Sequence, residues 1–149
     1  MKKLIPLLFL SFFVTSYSHA SEGVTSVASH HSVKETADRF VDILSKKGLT
    51  LFARIDHQKN AKSVNLELRE TEVLIFGNPK VGTPLMQCEQ QVAIDLPQKV
   101  LIAKDADGNV WLSYNDPEYI KQRHQVTGCD AVFSKVANVL SALTNAAAK

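Results

Sequence analysis

The stretch LIFGNPKVGTPL, residues 74–85, restricts this chain more than any other. An apolar run, Glu72 to Phe76, ends at Gly77, and Asn78-Pro79 and Gly82-Thr83-Pro84 follow at once. A short apolar run of this kind suits a buried strand. Proline has no amide for a strand ladder and fixes φ, so the strand must stop before Pro79. Thr83 is a good N-cap and Pro84 suits the first helical position. The sequence therefore predicts a strand, a stiff loop and a helix from Pro84 to about Val92, with Gly77 and Gly82 permitting unusual φ/ψ in the loop.

The same signals order the rest of the chain. Val24 to His30 alternates weakly, as a first strand does. Ser32-Val33-Lys34-Glu35 has capping-box form and opens a helix with Val33, Ala37, Phe40, Val41 and Leu44 at helical spacing. Gly48 ends that helix as a C′ glycine. Leu49 to Ile55 reads as a strand with Leu49, Leu51, Ala53 and Ile55 on one face, and Asp56 caps a short helix reaching about Leu68. Lys99–Lys104 and Val110–Tyr114 flank Asp107-Gly108, a hairpin signal. Asp116-Pro117 opens a helix to about His124. Asp130 caps a last helix with Val132, Val136, Val139 and Leu143 on one face, and Asn145–Lys149 is expected to fray. Strands interleaved with helices predict an α+β, two-layer sandwich: a mixed sheet of about five strands with helices packed on it.

Residues 1–20 read as an export leader. Lys2 and Lys3 form a basic start, Leu4 to Val14 is apolar and uncharged, and Ser18-His19-Ala20 offers small residues at the two positions a signal peptidase reads. The apolar run is shorter than the ~20 residues of a membrane span. Cleavage is expected after Ala20, leaving 21–149 as one periplasmic or secreted domain with no membrane span. Removing Lys2 and Lys3 takes the 17 basic residues to 15, equal to the 15 acidic ones. A neutral domain argues against nucleic-acid binding and gives no global attraction to an anionic membrane. Cys88 and Cys129 would meet an oxidising compartment, where two thiols pair or remain apart as small buried apolar groups; both readings stand.

Several motifs bear on chemistry. GNPKVGT, residues 77–83, nearly matches a nucleotide-binding P-loop, but Thr83 stands where lysine is needed, and Pro79 and Pro84 remove amides from the cradle. A small-anion site at the following helix, with Lys80 close by, is the remaining functional reading; a plain stiff turn is the structural one. Asp56-His57 offers an acid–base or metal-binding pair, against which stands the capping role of Asp56. No H-x-x-x-H or C-x-x-C spacing marks a zinc site. Asp105-Ala-Asp107-Gly-Asn109 imitates a calcium loop, yet Val110 occupies the place that needs glycine. Trp111 falls opposite Val110 and Leu112, so either both faces of that strand are covered or an aromatic is left for a partner.

Three segments together, ARIDH (53–57), LIFGNPKVGTPLM (74–86) and IDLPQKVLIAKDADGNVWLSYNDPEYIKQRH (94–124), resemble the DUF302 family over about residues 24–145. The resemblance implies a compact α/β domain able to dimerise, and it implies no particular reaction or cofactor. The family pattern falls on Asp56, His57, Asn78, Thr83 and Asp95 among others. Two departures matter: Glu70 stands where the family commonly has proline, and Cys88 where it often has alanine, so a disulfide would belong to this chain and not to the family's function. The leading expectation is a non-catalytic module that binds a small ligand or a protein partner. Its pocket would be lined by Asp56, His57, Asn78, Thr83 and Asp95, with Lys80 nearby. The alternative is an enzyme using Asp56 and His57 as its acid–base or metal-binding pair.

Overall fold

Five strands form one sheet: β1 (Val24–Ser29), β2 (Thr50–Asp56), β3 (Thr71–Gly77), β4 (Gln98–Lys104) and β5 (Val110–Asn115), in the order β1-β5-β4-β3-β2. The computed structural model describes residues 22–149, so the leader expected at 1–20 lies outside the described residues. The helices are α1 (Val33–Lys46), α2 (His57–Ser63), α3 (Pro79–Cys88), α4 (Pro117–Arg123) and α5 (Asp130–Ala148), with a 3-10 turn over Gln90–Asp95.

The strand count and the α+β layering are as the sequence implies, but every neighbouring pair is antiparallel rather than mixed. A parallel pair needs a crossover that carries the chain to the opposite end of the sheet. Here α2, and α3 with the 3-10 turn, each bring the chain back at the end it left, so β2, β3, β4 and β5 form a meander.

One face of the sheet is covered. Leu74, Phe76, Val100, Ile102, Leu112 and Tyr114 are buried beneath α1 and α5. Phe40 of α1 meets Phe76 edge-on, with ring centroids 5.1 Å apart. Ser32 caps α1 by accepting from the Glu35 amide, and Gly48, at φ +67°, closes it as the sequence predicts. Leu49 N–H donates back to Leu44 O and Gly48 N–H to Ser45 O, which satisfies carbonyls the helix end would leave open.

Among the described residues no helix buries the other face, and a bulge decides what it shows. Leu51 pairs with Phe76, but Ala53 pairs with Ile75. Residues opposite one another share a face, so Leu51 lies on the helix side while Ala53 and Ile55 join Val73 and Ile75 on the open side. The single apolar face expected for β2 is thus split. Trp111 lies on the open side as well, half-buried, with Nε1 donating to Asp105 Oδ2 at 2.8 Å.

Four further expectations are corrected. Helix α2 ends at Ser63, not near Leu68; none of its residues is buried, and a short helix without packing has little to hold it. Helix α3 begins at Pro79, because Asn78-Pro79 is the same cap-then-proline signal as Thr83-Pro84, one turn earlier: Asn78 Oδ1 accepts from Lys80 N–H at 2.9 Å. Thr83 is therefore mid-helix, Pro84 is tolerated within it, and Val92 belongs to the 3-10 turn. Helix α5 buries Phe133, Val136, Leu140, Leu143 and Ala147, while Val139 is 38% exposed; the bulkier Phe133 and Leu140 set the rotation. Its end does not fray: Arg39 Nε donates to Ala147 O at 3.1 Å and His30 N–H to Ala148 O at 3.0 Å.

Candidate functional site

Helix α3 leaves the sheet at Gly77 and lies beside α5. Between them is a cavity of about 720 Å³. The loop and helix supply Gly77, Val81, Gly82, Thr83, Leu85 and Met86. The end of α1 and the start of β2 add Ile43, Lys47, Leu49 and Phe52. Leu96, Pro97 and Gln98 form the floor leading into β4, and Val136, Val139, Leu140 and Leu143 of α5 form the far wall. The Leu96-Pro97 peptide bond is cis.

The lining is apolar apart from a few groups. Among the described residues its charged groups are Lys47 and Lys135, and no aspartate, glutamate, histidine or cysteine lines it. Among the described residues neither lysine makes a salt bridge or a side-chain hydrogen bond. Apolar lining with few polar groups, at a volume between about 300 and 1,000 Å³, is the usual character of a small-molecule site.

The structure divides the residues singled out from the sequence. Asn78 and Thr83 line the cavity. Both ends of the Asn78 amide are engaged, however: its oxygen caps α3, and its nitrogen donates to Gly48 O at 3.3 Å, splicing the loop to the end of α1. Lys80 is exposed on the first turn of α3, outside the lining. Asp56 and His57 sit at the other end of β2, about 20 Å along the strand from Thr50. Asp56 Oδ1 accepts from Lys59 N–H at 2.8 Å as the cap of α2, and neither residue lines the cavity. Among the described residues no cluster of three or more histidine, cysteine, aspartate and glutamate side chains is placed to hold a metal.

Asp95 has a partner that sequence reading missed. Its Oδ2 lies 2.6 Å from His124 Nε2 and its Oδ1 3.0 Å from Arg123 Nη1. The signal was available: Arg123-His124 puts two basic side chains together at the end of α4, and a carboxylate is the natural complement of such a pair. Lys47 and Lys135 were missed too, because nothing local distinguishes them from solvated lysines; only the tertiary fold brings them to one cavity.

The disulfide reading is the one the structure carries. Cys88, the last residue of α3, is bonded to Cys129, the N-cap of α5, with Cα atoms 6.4 Å apart. The bridge joins two walls of the cavity.

The model of the family described as "Domain of unknown function DUF302" matches residues 25–143. The chain belongs to the DUF302 family. A crystal structure of an uncharacterized conserved DUF302 protein from Bacillus stearothermophilus superposes with a TM-score of 0.77 at 14% identity, covering 85% of this chain and 99% of that one, which speaks to the fold alone. Proteins named fluoride-specific ion channel FluC 1 from Brucella suis and FluC 2 from Brucella melitensis are each 43% identical over 104 residues, 70% of this chain. Those alignments cover only 41% and 38% of the relatives, so the chain spans about two fifths of their length. No helix among the described residues is long and apolar enough to cross a membrane. Within this DUF302 chain, the GNPKVGTPLM segment that carries the family resemblance supplies one wall of the cavity, and Leu96-Pro97 of the IDLP segment supplies its floor.

Proposed function

We propose that this DUF302 domain is a binding module whose small organic ligand occupies the cavity between α3, α5 and the start of β2. The observation that carries the reading is the lining itself: apolar, built from the segments of the family resemblance, and lacking any nucleophile–base–orienter set. Asp56 and His57, the pair an enzyme would use, stand outside it. A thermal-shift screen of metabolites tests the proposal, since a ligand at a hundredfold excess over its Kd adds about 2.7 kcal/mol. Sodium fluoride belongs in the same screen because of the channel names its relatives carry. A screen in which no compound raises the melting temperature counts against the reading.

We propose two further properties. Export is supported by the leader-like residues 1–20 and by the Cys88–Cys129 bond, which suits an oxidising compartment. Fractionation and an N-terminal sequence beginning at Ser21 test it. A homodimer is supported by the uncovered sheet face, on which Ile55, Val73, Ile75 and Trp111 are only half-buried and Leu101 is exposed. Light scattering at micromolar concentration tests that.

A further inference from the structure

We infer that the cavity takes an amphipathic anion: a single unbranched hydrocarbon chain ended by a carboxylate. This rests on the binding reading above and names its ligand class. Three observations meet here. The first is the apolar lining, which rewards hydrocarbon and offers little to a polar body such as a sugar or nucleoside. The second is charge. Lys47, at the end of α1, and Lys135, on α5, are the charged lining residues among those described; both are exposed, and no described acid lines the cavity beside them. A ligand that brings a carboxylate answers both, and a cationic amphiphile is repelled.

The third observation is Gly82. It lies inside α3, where glycine costs about 1 kcal/mol relative to alanine. Its φ is not positive, and a Cβ built on it meets no atom within 4 Å. Neither backbone conformation nor packing therefore requires glycine at this place. Gly82 does line the cavity. Glycine here leaves this stretch of the cavity wall without a side chain, a bare surface along which a hydrocarbon chain can lie. Gly77 is different: its Cβ would lie 3.3 Å from the Phe52 ring, so close approach explains it.

The test is calorimetric titration of the purified protein, below micellar concentrations, with decanoate, dodecanoate and tetradecanoate, and with dodecanol and dodecyltrimethylammonium as head-group controls. The carboxylates should bind, tightening about tenfold for each two added methylenes until the cavity is full. Dodecanol should bind about tenfold or more weakly, and the cation weakest. Lys47→Met and Lys135→Met should each weaken dodecanoate, whereas Lys62→Met on α2 should not. Gly82→Ala should weaken dodecanoate without lowering the urea midpoint of the free protein, a readout independent of binding. Equal affinity for dodecanol and dodecanoate, unmoved by the lysine variants, overturns the anion assignment and leaves the binding module standing. Failure of every chain, with a different compound positive in the metabolite screen, overturns the ligand class alone. Failure of every chain and of the whole screen overturns both.

Discussion

Asp95 and His124 close the 3-10 turn onto the end of α4 through a 2.6 Å contact, with side chains only 10% and 8% exposed. Arg123 reaches the same carboxylate but is half-exposed. The two partners should therefore differ in worth. Asp95→Ala strips a buried imidazole of its partner and should cost about 1–3 kcal/mol. Arg123→Ala removes a solvent-screened pair and should cost under about 1 kcal/mol. Urea unfolding at constant m-value measures both; equal losses would contradict this division.

A second ion network ties the sheet to α1. Glu72 is nearly buried on the helix side of β3; Arg54 Nε donates to its Oε2 at 2.5 Å, and Arg54 Nη1 to Asp38 Oδ1 at 2.5 Å. The Glu72 bond is the main reason the guanidinium proton is held more tightly than usual. Lys34, then Arg54, hold the Asp38 carboxyl below its ordinary range. Arg54→Met leaves Glu72 without its partner and should cost about 3 kcal/mol, the lower end for a broken buried pair because Arg54 is partly exposed. The double variant Arg54→Met/Glu72→Met should recover most of that loss. Thermal or urea melts of the singles and the double supply the cycle.

How much of this was legible beforehand follows from the range of the forces involved. Caps, C′ glycines and hairpin turns act within a few residues, so α1, α4 and the β4–β5 hairpin lie within a residue or two of where Ser32, Gly48, Asp116-Pro117 and Asp107-Gly108 put them. Asn78-Pro79 and Thr83-Pro84 carry equal local signals, and only packing of the helix against α5 selects the earlier one. The bulge that turns Ala53 and Ile55 away from the core has no glycine or proline to announce it. The cavity was half legible. Asn78 and Thr83 came from the loop, but Lys47 and Lys135 stand 88 positions apart and reach one cavity lining only through the fold, and Asp95 was read without the histidine 29 residues later that occupies it.

The Asp105 carboxylate organises the β4–β5 hairpin. Its Oδ1 accepts from the amides of Asp107 and Asn109 at 2.9 and 2.8 Å, and its Oδ2 from Trp111 Nε1. The Trp111 bond, ahead of the Asn109 bonds, holds its pKa below the ordinary 3.8. A group whose folded pKa is depressed lends stability that is fully present above the unfolded value and is lost as pH falls through the folded one. The hairpin should thus loosen below about pH 4. Trp111 is the sole tryptophan, so its fluorescence reports the event directly. Asp105→Asn keeps one acceptor oxygen where the carboxylate has two, so it should flatten the acid limb of that titration and shift the neutral spectrum toward that of the wild type in acid. An unchanged acid limb would remove Asp105 as its source.

The Cys88–Cys129 bond spans 41 positions and holds the end of α3 to the start of α5. Closing a loop of that length is worth about 4 kcal/mol in the chain-entropy description, a large share of the ~5–15 kcal/mol that stabilises a domain. About 1 kcal/mol moves the midpoint of a domain this size by roughly 3–6 °C, so reduction should lower Tm by about 10 °C or more. The double variant Cys88→Ala/Cys129→Ala should melt near the reduced protein and be indifferent to reductant, which separates the loss of the bond from side effects of the reagent. Because the bridge joins two cavity walls, dodecanoate binding should weaken on reduction as well. Denatured, unreduced protein from an oxidising compartment should show no reactive thiol. Finding two would mean that α3 and α5 are held together by packing alone.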